Sequence, residues 1–472
     1  MKKNLMFLAM VLVLVIAFTA CGQNGAETTP TPPADSGAVA PPPQDTGGTD
    51  AAQEEIVLFT WWGDGERAMG EALVADFEAA NPNISVQENY IAFSDYLAMV
   101  NTMVAAGNTP DVFFLPEFLV LEWGLEGAAQ DLVPHFQSSG IDPNVVWVDA
   151  ALYYADGQIF GINPSLTLIV LYYNMEMFEE FGVTPPPASA ATPWTWDEFV
   201  SAATMLTRDL DGNSPADAGF NPHNVFQWGT VMPDSWIYVL PLLYTAGSSI
   251  ADEAGTQLRI TDPTAINALQ MMADLSHVHQ VAPTIALTGA AAFGDFSVML
   301  MNDQLGMFVG GAFLHPNFAN ADFEVGIAQI PSISGNPSNM SWGAGFVLGS
   351  DAGEAGFKLL MHLTDFNNSV TAAQNHGVGL SNLPQTNSTF DDPALNSAWM
   401  NMMNPTLARV AADILQNGTR ESVEPVTLRN FGVIMDQHLV PLFDRIWLGN
   451  VSAADGVAEV EATLQGLLQG SW

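Results

Sequence analysis

The chain of 472 residues contains a single cysteine, Cys21, and only 10 lysine and arginine residues against 51 aspartate and glutamate residues. One cysteine can form neither a disulfide framework nor a Cys-x-x-Cys pair for redox chemistry or zinc. A formal charge of -41 opposes binding to nucleic acid, because a phosphate backbone is bound by clustered cations. We therefore expect no nucleic-acid partner.

Sequence motifs for catalysis or metal binding are also lacking. The chain has no His-Glu-x-x-His, no Gly-x-Ser-x-Gly and no Gly-Lys-Ser/Thr phosphate loop. Residues 209–213 begin like a calcium loop, but Ser214 stands where that loop has glycine and Phe220 where it has glutamate. We expect no metal site, no cofactor and no catalytic residue.

Core-forming residues, in contrast, are abundant. Apolar residues make up 48% of the chain and aromatic residues 10%, which excludes a disordered or collagen-like protein. At roughly 100–200 residues per domain, this length suggests two or three compact units.

The first residues are typical of a secretory signal. Lys2 and Lys3 precede an apolar run from Leu5 to Phe18, which is too short to cross a bilayer. Residues 18–21 resemble the lipobox of bacterial lipoproteins, in which the cysteine is lipidated. We predict a signal peptide over 1–20, lipidation of Cys21 and a flexible tether over 21–53 that is rich in proline, glycine and threonine. The protein is then extracytoplasmic and anchored to the cell membrane.

From residue 54 onward, buried-strand patterns alternate with helical spacing. Strands are predicted at 56–62, 84–86, 111–115 and 168–173, and helices at 67–80, 96–106, 196–206, 236–244 and 265–278. This alternation predicts an α/β fold with a largely parallel sheet and helices on its faces.

Six segments together resemble family 1 of the extracellular solute-binding proteins of bacterial ABC importers, whose members mostly capture sugars. They are NPNISV (81–86), AGNTPDVF (106–113), DGQIFGINP (156–164), LYYNMEMF (171–178), PP (185–186) and TWDEF (195–199).

The resemblance implies a two-lobed periplasmic-binding-protein-like fold with hinge crossings and a central cleft. Placing the crossings by motif order predicts one lobe from 54–164 plus 343–395 and the other from 165–342 plus 396–472. The resemblance also implies a monomer that captures a carbohydrate and delivers it to the transmembrane permease subunits of an importer.

Loops at the carboxyl ends of strands reach the cleft of such folds and supply the first candidate ligand contacts. Trp62 and Asp64 lie at the end of the first predicted strand, and Glu117 follows the strand ending at Leu115. An indole stacks on the C–H face of a sugar, while a carboxylate accepts its hydroxyls. Trp61, beside Trp62, is expected in the core.

Further candidates come from the later chain. Trp236 begins an apolar helix, Phe313 follows two glycines, and Trp342 lies where the resemblance predicts a crossing through the cleft. Arg429 and Phe431 resemble a segment that contributes to the cleft in the family.

Two other functions remain open at this level. An extracellular glycoside hydrolase needs only a pair of carboxyl groups at suitable separation. The same binding fold could also take a peptide, a polyamine or ferric iron, the last suggested by Tyr172-Tyr173.

Overall fold

The computed structural model describes the chain in twelve ranges: 54–147, 151–155, 157–165, 167–233, 235–252, 254–285, 295–318, 321–380, 383–403, 405–417, 419–420 and 428–470. The predicted signal peptide, Cys21 and the tether lie outside these residues.

The strands of the described residues form four sheets, the largest with six strands. In chain order the strands are β1 (Glu54–Thr60), β2 (Ile84–Tyr90), β3 (Val112–Leu115), β4 (Leu152–Ala155), β5 (Gln158–Ile162), β6 (Thr167–Asn174), β7 (Arg208–Asp209), β8 (Val225–Gln227), β9 (Met307–Gly311), β10 (Val325–Gln329), β11 (Ser338–Asn339), β12 (Ser341–Trp342), β13 (Gly345–Leu348) and β14 (Thr419–Arg420).

Helices connect these strands and form most of the last quarter of the chain. The α-helices are α1 (Asp64–Ala80), α2 (Phe93–Ala105), α3 (Glu117–Leu125), α4 (Val133–Ser139), α5 (Pro143–Val146), α6 (Met175–Glu180), α7 (Trp196–Leu206), α8 (Trp236–Thr245), α9 (Pro263–His277), α10 (Asp295–Met301), α11 (Glu354–Thr364), α12 (Phe366–His376), α13 (Asn387–Asp391), α14 (Pro393–Met402), α15 (Pro405–Asn417), α16 (Phe431–Val433), α17 (Val440–Trp447) and α18 (Ala453–Leu468). A 3-10 helix spans Ala312–Phe318 and a π-helix Ile434–Leu439.

The six-stranded sheet has the order β2-β1-β3-β13-β5-β4. The prediction of a largely parallel sheet is wrong, because only β2, β1 and β3 run parallel. Strand β13 returns antiparallel to β3 from a distant part of the sequence. Strands β4 and β5 are antiparallel because a tight turn joins them, with Gly157 at a φ of 82° that favours glycine.

A second sheet places β6 between β10 and β9, both antiparallel to it, and β12 pairs with the start of β6. The chain leaves the six-stranded sheet after Ile162 and enters the second sheet at Thr167. It returns between Trp342 and Gly345. Because Trp342 pairs with Thr167 and Phe346 pairs with Ile162, the two crossings lie side by side.

The central strands are buried on both faces. In β6, Leu168 and Val170 pack into one core cluster, while Ile169 and Leu171 pack into another. This explains why buried-strand patterns, rather than alternating ones, mark these strands in the sequence. Within the described residues, no helix is long and apolar enough to cross a membrane.

Local signals place the helix starts. At α7, the Thr195 hydroxyl accepts a hydrogen bond from the Glu198 backbone N–H at 3.3 Å, and the Glu198 carboxylate accepts one from the Thr195 N–H at 2.8 Å. This reciprocal capping fixes the predicted beginning of the helix at Trp196.

Candidate ligand-binding site

A cavity of about 640 Å³ lies where the ends of strands from both sheets meet. The six-stranded sheet contributes the segments after β1 and β3, and the second sheet contributes the start of β6 and the segment after β9. Because β1 and β3 run parallel as neighbours, their carboxyl ends reach the same edge. The volume is within the range of about 300–1,000 Å³ that is usual for small-molecule pockets.

One wall is aromatic. Trp61 and Trp62 leave β1 at its end and line the cavity together with Phe114 of β3. The Trp61 ring lies 4.5 Å from the Phe114 ring, and the Trp62 ring lies at right angles to Phe346 with centroids 5.4 Å apart. Both indoles are half-buried, so that each is held by the core and still faces the cavity.

Glycine in α1 allows this wall to form. A Cβ atom at Gly70 would lie 2.4 Å from the Trp62 ring, which is closer than any normal contact. The helix therefore supports the indole directly from behind. We infer that Gly70 fixes the position of Trp62.

The wall also holds a buried carboxyl group. Glu117 begins α3 directly after Pro116, lines the cavity and is only 4% exposed. Its Oε1 atom has no hydrogen-bond partner in the structure. Burial raises the pKa of Glu117 to about 8.

The chain crossings form the floor beside Glu117. Tyr153 is buried and donates its hydroxyl hydrogen bond to the carbonyl of Gly343, which lines the cavity. A Cβ at Gly343 would meet the Asn163 side chain at 2.5 Å, so the two crossings touch. Thr167, also lining, has a buried hydroxyl without a hydrogen-bond partner. Thr167 and Glu117 thus each offer an unused polar atom to a ligand.

A second wall of the cavity is aromatic as well. Trp236, at the start of α8, and Phe118, next to Glu117, both line the cavity. Phe431 is buried behind them, with ring centroids 5.2 Å from Trp236 and 5.7 Å from Phe118. Phe313 in the 3-10 helix adds a further ring to the lining.

Two more carboxyl groups line the cavity. Glu66 lies in the first turn of α1, and Asp436 lies in the π-helix. Burial raises the pKa of both groups, and for Glu66 a hydrogen bond from the Gly63 backbone partly offsets this effect. The described lining contains no lysine, arginine or histidine.

The family model described as "Bacterial extracellular solute-binding protein" matches residues 62–365. This chain belongs to that family. The solute-binding fold is confirmed by solved structures, which match it over nearly all of the globular part. An ABC substrate-binding protein of Listeria monocytogenes in complex with cycloalternan is similar with a TM-score of 0.74 and 23% identity, covering 89% of this chain and 100% of that one.

Other relatives are more distant. The GacH receptor of Streptomyces glaucescens, solved unliganded and with acarbose, has a TM-score of 0.70 and 16% identity, covering 89% of this chain and 100% of that one. A binding protein of Brucella abortus (strain 2308) is 22% identical over 266 residues, which are 54% of this chain and 58% of the relative's length. An arabinooligosaccharide-binding protein of Halalkalibacterium halodurans is 28% identical over 131 residues, 28% of this chain and 25% of that protein.

Four of the ligand contacts predicted for this solute-binding protein lie together in the cavity lining: Trp62, Glu117, Trp236 and Phe313. Their contact with a ligand stays a prediction.

The other four predicted contacts are not part of the described lining. Phe431 is in the layer behind Trp236, because its ring fills the gap between two lining rings. Arg429 is exposed and donates to the carbonyl of Gly470 at 3.1 Å. Asp64 begins α1 and Trp342 ends β12, but their side chains lie outside the described part of the structure.

Several lining residues were not predicted from the sequence. Trp61, expected in the core, packs on the core and lines the cavity at the same time. Phe118 and Glu66 lie within two residues of predicted contacts, and that proximity was an available signal. Asn163 lies directly before the predicted crossing at 164/165, and that position was also an available signal. Asp436 had no such signal, because it reaches the cavity through a helix that is remote in sequence.

Proposed function

We propose that the protein is the extracytoplasmic receptor of an ABC importer and captures a carbohydrate in this cavity. The observation that carries the proposal is a cavity with aromatic rings on both walls and a buried carboxyl group, Glu117, whose Oε1 atom has no hydrogen-bond partner. Sugars need both features, because they have apolar C–H faces and a rim of hydroxyl groups.

The aromatic and the polar residues of the lining have different parts in binding. Trp62 and Trp236 stack against the faces of sugar rings. Glu117 and the hydroxyl of Thr167 form hydrogen bonds with sugar hydroxyls, which satisfies polar atoms that are otherwise buried without a partner. Binding therefore removes a cost that is present in the empty site.

Similar proteins support a carbohydrate rather than another solute. Two of the similar proteins were solved with cycloalternan and with acarbose, and a third, from Bdellovibrio bacteriovorus, was solved with maltotriose. The curated arabinooligosaccharide-binding protein points to the same ligand class. A peptide, a polyamine or ferric iron is less well supported. For iron, Tyr172 is fully buried and donates to the carbonyl of Gly311, and neither it nor Tyr173 lines the cavity.

We further propose that the two sheets belong to two lobes that close around the ligand. The proposed lobes are 54–164 plus 343–395 and 165–342 plus 396–472. The side-by-side crossings near Asn163 and Gly343 support a hinge there, since strand pairing continues up to both of them. A ligand that contacts both walls stabilises the closed state through its differential affinity.

The signal peptide, the lipid on Cys21 and the tether complete the proposal. They hold the receptor at the outer face of the cell membrane, where a monomer delivers its ligand to the permease subunits. We propose that the cavity binds its ligand without chemical change. The family and its structural relatives are binding proteins.

A thermal-shift screen tests the ligand class. Purified protein is heated with malto-, cello-, manno- and arabino-oligosaccharides, and in separate wells with peptides, polyamines or ferric iron. We expect an oligosaccharide to raise the melting temperature, because a ligand that binds only the folded state adds RT ln(1 + [L]/Kd) to its stability. A rise with only the non-sugar solutes contradicts the proposal. Chromatography of the same mixtures is expected to show intact sugar, and shorter products would indicate a glycoside hydrolase.

A further inference from the structure

Every titratable side chain in the described cavity lining is a carboxyl group. These three residues, Glu66, Glu117 and Asp436, are called the carboxyl set below. They come from three different elements, α1, α3 and the π-helix, and line the cavity from several sides.

The positive charges of the protein are held elsewhere. Beyond Lys2 and Lys3 the chain has only eight lysine and arginine residues, and seven of them contact partners away from the cavity lining. Four of these form ion pairs on the surface, namely Arg67 with Glu71, Arg259 with Asp262, Lys358 with Glu354 and Arg445 with Glu459. The other three donate to backbone carbonyls: Arg208 to Thr207, Arg409 to Ala188 and Arg429 to Gly470. The eighth, Arg420, lies in β14.

The carboxyl group of Glu117 receives a hydrogen bond from its own backbone N–H and no positive charge from the described residues. The nearest titratable neighbour on the packed strands is Tyr153 of β4, whose hydroxyl hydrogen is donated to the Gly343 carbonyl. The Oε1 atom of Glu117 stays without a donor. An anionic ligand that enters this cavity therefore meets no compensating positive charge among the described residues.

We propose that the carboxyl set is a charge filter, which admits uncharged carbohydrates and rejects carbohydrates that carry a carboxylate or a phosphate. This inference rests on the proposed carbohydrate function and adds the class of saccharide. With an effective dielectric constant of about 20, two like charges about 8 Å apart lower an affinity by about 30-fold. An unpaired charge also has a higher free energy in a partly dehydrated site than in water.

The filter depends on pH. Burial raises the pKa of all three carboxyl groups, to about 8 for Glu117. Besides Glu117, the titratable groups around the cavity are Glu66 and Asp436 in its lining and Tyr153 on β4, which is uncharged because burial raises the pKa of its hydroxyl well above the ordinary value. As the pH rises toward and beyond 8, Glu117 ionises and rejection of anions increases. As the pH falls to 5, rejection decreases.

Matched trisaccharides test this inference by calorimetry. The probes are the trimers of α-1,4-glucose, β-1,4-glucose and β-1,4-mannose, each compared with the same trimer oxidised to the carboxylate at C6 of one ring. At pH 8, where Glu117 is about half ionised, we expect the oxidised trimer to bind several-fold and up to about 30-fold more weakly than the neutral one. The sugar carboxylate, with a pKa near 3.5, is ionised at pH 5 as well as at pH 8, so any change in the affinity ratio reports on the protein.

A triple variant and a control separate charge from shape. In Glu66→Gln with Glu117→Gln and Asp436→Asn, the two affinities are expected within about threefold of each other at pH 8. Glu122→Gln removes a half-buried acid of α3 that does not line the cavity, and it is expected to keep the wild-type ratio. Binding of the neutral trimer shows that each variant is folded.

Three results overturn the inference. They are equal affinity of wild-type protein for both members of a pair at pH 8, a ratio that does not change between pH 5 and 8, and full discrimination retained by a triple variant that still binds the neutral trimer. Failure of every neutral trimer contradicts the proposed carbohydrate function instead, and this inference then fails with it.

Discussion

The rings of Trp61 and Phe114 lie 4.5 Å apart at the ends of two neighbouring parallel strands. This contact joins the segment after β1 to the end of β3 and positions Trp62 beside them, with its ring 5.8 Å from Phe114. The aromatic wall is therefore one packed unit rather than a set of separate side chains. Its rigidity lowers the entropy cost of presenting a flat surface to a ligand.

The first prediction concerns two indoles of the cavity lining, Trp62 and Trp236. We expect Trp62→Ala and Trp236→Ala each to weaken binding of the responsive oligosaccharide by about 1 to 3 kcal/mol, because each removes one large stacking surface. Titration calorimetry measures the change. Phe226→Ala serves as the control, since Phe226 is 47% exposed on β8 and does not line the cavity. Wild-type affinity in both tryptophan variants excludes these rings from the site.

The second prediction concerns the glycine behind Trp62. Gly70→Ala is expected to lower saccharide affinity at least about fivefold. The added Cβ would lie only 2.4 Å from the Trp62 ring, so the indole has to move. Gly466→Ala is the matched control, since Gly466 also lies inside a helix but has open space where a Cβ would project. It should stabilise the protein by up to about 1 kcal/mol and leave affinity unchanged. Equal affinity of the two variants contradicts the positioning role of Gly70.

The third prediction follows from the buried carboxyl group. The folded state binds the Glu117 proton more tightly than the unfolded state does, because its pKa is about 8 instead of the ordinary 4.5. Glu117 therefore favours folding most at low pH, and this contribution is lost as the pH rises from about 4.5 to about 8. From pH 5 to pH 8, the free energy of unfolding of wild-type protein should fall by about 3 kcal/mol more than that of Glu117→Gln.

Urea unfolding at the two pH values measures this difference. Glu126→Gln, an exposed acid directly after α3, is the control and is expected to follow the wild type. The same pH dependence in Glu117→Gln and in wild-type protein shows that Glu117 is not the group responsible.

Much of the fold could be predicted from local sequence. The pattern over 196–206 predicts α7 with the bounds that the structure has, and Asn81-Pro82-Asn83 correctly separates α1 from β2. The bounds of these elements depend on capping residues and on the spacing of buried apolar residues, and both can be read within one short stretch of sequence. The apolar run over 56–62 extends two residues beyond β1. Its last two residues, Trp61 and Trp62, line the cavity and are not part of the sheet.

The site was predictable chiefly where it follows a strand, and Trp236 was predicted from the start of an apolar helix. Glu117 and Trp62 come directly after β3 and β1, so the general rule for strand ends located them. Asp436 reaches the cavity from a π-helix far along the chain, and no local pattern marks that approach. Phe431 differs from Trp236 only in being one layer deeper, and this depth depends on packing between distant segments.

The fourth prediction concerns membrane attachment. Cys21→Ala is expected to move the protein from the membrane fraction to the soluble fraction of cells, because it removes the predicted lipidation site. Fractionation followed by immunoblotting measures this shift. Saccharide affinity should not change, since the tether has almost no large apolar residue with which to pack on the globular part. Unchanged retention in the membrane fraction counts against lipidation of Cys21.

A crystal structure with the oligosaccharide that gives the largest thermal shift is the sharpest test of carbohydrate binding in the cavity. We expect sugar rings inside the cavity, with one ring stacked on Trp62 or Trp236 and a hydroxyl within hydrogen-bond distance of Glu117. A saccharide bound elsewhere on the protein, with the cavity between these residues filled only by water, would contradict it.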